Sequence, residues 1–156
     1  MTAADGFTLG LISGGAFALL ESLGSLSNPV GDGWLFLISG RIGAGLLHMT
    51  ASGLVGMGLA SAWTQKKYFR LALVFLLAVS IHGAWNALSL TMGFLNVGST
   101  VPETTSWMKT ITNIGPFLLV GMGLVMILIL IVTNRRLVRS QKFDLTATNP
   151  ATSGFN

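Results

Sequence analysis

The stretch Ser80-Ile81-His82-Gly83-Ala84-Trp85-Asn86 lies inside an apolar run from about Leu71 to Phe94. His82 and Asn86 are four residues apart, so on a helix they share one face. The run is long enough for that helix to cross a bilayer, which takes roughly 20 residues. Polar groups at membrane depth are costly, and they mark a functional site, a partner or a water-filled cavity. Other apolar runs carry Glu21, Arg41 and His48 in the same way. Whether these side chains meet decides what the chain can do.

Working outward, the composition agrees with a membrane setting. Of 156 residues only 9% are charged, and the mean hydropathy is +0.72. Soluble domains carry roughly 25% charged residues. The length suits one domain. Cysteine is absent, which excludes disulfides and thiolate ligands. No basic segment precedes the first apolar run, so it reads as a retained helix rather than a cleaved signal. The few cations flank apolar runs, and no nucleic-acid partner is expected.

Four runs can be read in order. The first spans about Gly6 to Leu26, with Gly6, Gly10, Gly14 and Ala18 at spacings of four. Such a small-residue stripe lets another helix approach closely. Glu21 falls nearly on it. A turn-rich connection follows, with Asn28-Pro29 and Gly31-Asp32-Gly33. The second run, about Trp34 to Trp63, puts Arg41, Ala44, His48, Ser52 and Val55 on one face. Gln65-Lys66-Lys67-Tyr68-Phe69-Arg70 is a short basic connection. The third run carries Phe75, Ala78, Asn86 and Ser89 on its His82 face. Asn96 to Asn113 reads as a polar loop, with Trp107 as an interfacial anchor. The fourth run, Ile114 to Thr133, has no ionisable residue, and Arg135, Arg136, Arg139 and Lys142 follow it.

The expected fold is therefore all-α. Four transmembrane helices make a domain over residues 1–142, and residues 143–156 form a polar tail. Basic flanks after the second and fourth runs place both termini in the cytoplasm. The same basic tail is expected to touch anionic membrane lipid. At about 1.5 Å per residue, Glu21, His48 and His82 each lie roughly 18–22 Å from the inner ends of their helices. Arg41 sits further out and Asn86 one turn beyond His82.

Several chemistries fit that set. Glu21, His48 and His82 have the ligand types of a catalytic zinc site with one open position, where metal-bound water could serve hydrolysis. His48 and His82 could instead hold haem b as two axial ligands. Alternatively, Glu21, Arg41, His48, His82 and Asn86 form a hydrogen-bonded network that only holds helices together.

The string Asp5-Gly6, Gly10, Gly14, Phe17-Ala18-Leu19-Leu20-Glu21 resembles the DG…G…G…FAxxE segment of PrsW-type intramembrane proteases. Arg41, His48 and the Gly53, Gly56, Gly58 cluster resemble that family's next segment. Ile81-His82-Gly83-Ala84-Trp85-Asn86 resembles its HxxWN segment. The resemblance covers about Asp5 to Leu88 and extends to the CAAX prenyl endopeptidases. It implies peptide-bond hydrolysis within a prokaryotic plasma membrane, with Glu21, His48 and His82 as active-site or metal-site residues and Asn86 in support. The family also carries an EExxK helix before the DG segment, whereas here Asp5 is preceded by four residues. Ser22 stands where the family has asparagine. The resulting expectation is a non-catalytic accessory or scaffold subunit of a larger membrane assembly. The alternatives are a metalloprotease completed by glutamates from another chain, and a haem-binding subunit.

Overall fold

A computed structural model describes residues 1–25, 34–97 and 106–148. Four helices make up these residues: α1 (Ala3–Ser25), α2 (Trp34–Gln65), α3 (Tyr68–Val97) and α4 (Ser106–Thr148). All four are long and apolar enough to cross a membrane. Hydrocarbon offers backbone groups no partner, so a spanning segment must satisfy them internally, as a helix does. Most large apolar side chains are exposed, including Leu20, Leu73, Leu76 and Phe117. In a bilayer these face lipid.

Local chemistry explains the helix ends. Thr2 and Asp5 cap α1 reciprocally. Thr2 N–H donates to Asp5 Oδ2 at 2.7 Å and Asp5 N–H donates to Thr2 Oγ1 at 3.1 Å, a capping box with Asp in the acidic position. The turn between α2 and α3 is only two residues long. Lys66 makes it by adopting φ 56°, the left-handed conformation that ends many helices.

The loop expected from Asn96 to Asn113 is much shorter. α3 runs to Val97 and α4 starts at Ser106, so Trp107 lies in the first turn of α4 and is exposed. Pro102 and Glu103 lie outside the described residues, as do Asn28-Pro29 and Gly31-Asp32-Gly33. The polar residues of this stretch do not break the helix because they bond to it. Thr110 and Thr112 hydroxyls donate to the carbonyls of Ser106 and Met108 at 3.1 and 3.0 Å. Pro116 is accommodated inside α4. At its other end α4 runs through the basic residues to Thr148, and residues 149–156 lie outside the described part.

Packing centres on α2. α1 lies along it through glycine. A Cβ on Gly6, Gly10 or Gly14 would overlap the backbone carbonyl of Gly56, Ser52 or His48 respectively. These contacts step by four in both helices, which fixes an antiparallel register. α3 and α4 cover the other side, where Leu47, Trp85 and Met126 form the buried centre against Leu46, Ile81, Leu119 and Met122. Trp85 occupies the space where a side chain on Gly43 would sit. Among the described residues no Cα atom of α1 comes within 8 Å of one in α3.

Candidate functional site

The register of α1 on α2 builds the polar cluster. Gly14 seats on the His48 carbonyl, and the same ladder carried outward passes Ala18 and Ala44, both nearly buried, to Glu21 and Arg41. Side chains lean toward the N-terminus of their own helix. In antiparallel neighbours Glu21 and His48 therefore lean toward each other. Arg41 Nη2 donates to Glu21 Oε2 at 2.7 Å, and His48 Nε2 meets the same oxygen at 3.0 Å.

His48 is held on two further sides. Phe17, one turn before Glu21, packs edge-on against its ring at 4.7 Å between centroids. His82 on α3 lies on the other, with ring centroids 5.0 Å apart and planes inclined by 58°. The structure thus brings Glu21, Arg41, His48 and His82 into one connected cluster. No hydrogen bond joins Asn86 to it among the described residues.

Two cavities flank the cluster. The first, about 620 Å³, is lined by Glu21, Arg41, His48, Trp85, Asn86 and Ser89, with α4 as its apolar wall. Ser89 Oγ is buried there without a hydrogen-bond partner. The second, about 590 Å³, lies between α1 and α3 and includes Ser13, Ser52, Phe75, Ala78 and His82. The expected His82 face of α3 is therefore divided along its length. Phe75, Ala78 and His82 serve one cavity, Asn86 and Ser89 the other, and the touching imidazoles stand between.

Phe17 and the Gly43–Trp85 contact were not singled out by residue chemistry. Phe17 had a legible signal, its spacing of four from Glu21. Gly43 had none, because a single glycine in a glycine-rich helix does not name its partner.

The chain belongs to the PrsW family: the family model for the PrsW family intramembrane metalloprotease matches residues 1–133. No match is found among curated proteins or solved structures.

A metalloprotease family implies a metal, and the donor types fit one. A carboxylate with two imidazoles is a catalytic zinc set. Their disposition does not fit. Glu21 Oε2 and His48 Nε2 bond each other directly, and the Arg41 guanidinium places a positive charge on the same oxygen. Among the described residues no three His, Asp or Glu side chains are grouped to hold a metal ion. Nor do the histidine rings present a slot for haem. They contact each other, whereas axial ligands must lie on opposite sides of a planar macrocycle.

Proposed function

We propose that this PrsW-family protein is a non-catalytic membrane subunit in which the polar cluster joins helices. The observation that carries this reading is the double engagement of Glu21 Oε2 by Arg41 and His48. Glu21 lies in the last turn of the span Ala3–Gly24. To act as a general base it would have to leave Arg41 and His48. A hydrogen bond to a charged group is worth about 1.5–3 kcal/mol, which opposes that movement. The cluster therefore favours holding α1 on α2 over moving protons.

A partner chain is part of this proposal, although the glycine stripe does not call for one. That stripe is filled by α2 of the same chain. What supports a partner is the exposed face of α4 away from the first cavity, with Leu118, Val125, Leu128 and Val132 in a row, and the cleft between α1 and α3.

One observation favours the second reading, a protease completed by carboxylates from another chain. The larger cavity reaches Glu21 and His48 and carries Asn86 and Ser89 as hydrogen-bonding groups. One experiment addresses both. The purified chain is reconstituted with a fluorogenic transmembrane peptide, with and without added zinc. The first reading expects no cleavage. Turnover that requires the membrane proteins copurifying with the chain, and is lost in Glu21→Gln and His82→Ala, would replace it with the second.

A further inference from the structure

We propose that the larger cavity is a binding site for a single-chain amphiphile with an uncharged, hydroxyl-bearing head, such as a monoacylglycerol. The cavity is graded from polar to apolar along the membrane normal. At about 1.5 Å per residue, Glu21 and Arg41 lie roughly 5 Å inside the ends of their spans at Gly24 and Ile38. Ser89 and Asn86 lie roughly 8 and 12 Å from Phe94, where the span of α3 ends on the same side. Leu47 lines the cavity at roughly 14 Å, and Ile127 adjoins Met126, which packs with Leu47. His48, at that level, turns its Nε2 to Glu21. The cavity is thus polar toward the membrane surface and apolar below, and it ends near the middle of a hydrocarbon core of about 30 Å. A lipid of one leaflet has the same polarity and the same reach.

Two side chains on the α3 wall call for a hydrogen-bonding head. Hydroxyls elsewhere in the spans turn back on their own helix: Thr50, Ser61, Thr64 and Thr91 each donate to the carbonyl four residues earlier, at 2.7–2.9 Å. Ser89 does not, and its Oγ is buried at the cavity without a partner. The Asn86 amide, one turn away, makes no hydrogen bond among the described residues either. A polar group shut away from water without a partner costs free energy that a bound group recovers. Both side chains can donate and accept, which matches a hydroxyl.

Charge selects against an ionised head. The carboxylate and guanidinium on the cavity, Glu21 and Arg41, bond each other at 2.7 Å. An ionised head in this apolar setting needs a counter-charge, and it would have to divide that pair to find one. Size selects a single chain. With about 30 Å³ for a group the size of water, the cavity of about 620 Å³ holds roughly twenty non-hydrogen atoms, fewer than a two-chain phospholipid carries. The α4 wall, with Leu119, Leu124 and Ile127, is the surface along which the chain lies.

The test uses the whole protein in phosphatidylcholine nanodiscs. The substitutions Trp34→Phe, Trp63→Phe and Trp107→Phe leave Trp85, which lines the cavity, as the sole indole. The probes are monolauroylglycerol, laurate and dodecyltrimethylammonium, each brominated at the chain end to quench indole fluorescence, and a brominated transmembrane peptide. Quenching by monolauroylglycerol should saturate, and at a membrane concentration about tenfold lower than for either ionised probe. Asn86→Leu with Ser89→Ala should raise its half-saturation about tenfold or more. Gly123→Leu should abolish it, because Gly123 lines the cavity and a Cβ there meets nothing within 4 Å. Helical circular dichroism checks that each variant is folded. Native mass spectrometry of the unaltered chain should give the same order of retention. Equal or unsaturable quenching by the three amphiphiles overturns the proposal without a cavity variant. Preference for an ionised probe, or undiminished binding in Gly123→Leu, overturns it as well. Saturable quenching by the peptide alone overturns it in favour of a peptide groove.

Discussion

Replacing the two halves of the Glu21–Arg41 pair, singly and together, tests whether the cluster serves as helix adhesive. The pair is 2.7 Å long, with side-chain exposures of 40% and 25%. Glu21 lies three residues from the end of its span Ala3–Gly24, so interfacial water screens the pair in part. Glu21→Leu removes the carboxylate that both Arg41 and His48 bond. Breaking a buried pair from one side costs about 3–5 kcal/mol, and we take the low end, about 3 kcal/mol, because the side chains are only partly enclosed. Arg41→Leu is milder, about 2 kcal/mol, because His48 still bonds Glu21 and bonds to charged groups are worth that much. The double variant removes both charges and fills the space with apolar side chains. Such replacements are commonly neutral or stabilising, so it should lie within about 1 kcal/mol of wild type. The cycle then yields a coupling of about 4 kcal/mol, at or above the usual upper range for contacting pairs. Reversible unfolding in mixed micelles, followed by helical circular dichroism against denaturing detergent fraction, measures each corner. Additive losses in the double variant would refute the reasoning, because the pair would then contribute nothing as a pair.

Other outcomes follow from single contacts. Gly10→Ala should loosen α1 from α2 and cost more than about 1 kcal/mol, since its Cβ meets the Ser52 carbonyl and overpacking costs about 1–3 kcal/mol. Gly83→Ala, with nothing within 4 Å of the new atom, should stabilise by up to about 1 kcal/mol. The same unfolding assay checks both. Lys66→Gly should also stabilise, by about 1 kcal/mol, because a side chain at positive φ is strained. For orientation, cysteines at Ser140 and Ser106 of an intact-cell preparation are treated with a membrane-impermeant reagent. Labelling at Ser106 with protection at Ser140 is expected from the basic end facing the cytoplasm, and the reverse pattern would refute that orientation.

Much of this protein was legible in the residue order, and for a physical reason. Lipid tolerates so few backbone arrangements that apolar length alone implies helices. The second run, read as Trp34 to Trp63, is α2 from Trp34 to Gln65. The stripe at Gly6, Gly10 and Gly14 likewise required a close helix neighbour. The extent of α4 was less legible, because Thr110 and Thr112 look like loop residues until their hydroxyls bond back to the helix.

The meaning of the polar residues depended on three dimensions. Depth counting brought Glu21, His48 and His82 to similar levels, but it could not say which atoms would touch. Helix register settled that, and register depends on which glycine seats on which carbonyl. With Gly14 on His48, Glu21 comes level with Arg41 and bonds it, so a ligand set written in residue types becomes an ion pair. The neighbour of the glycine stripe was decided in the same way. The spacing of small residues specifies a close approach, while only the packed chain shows that α2 makes it.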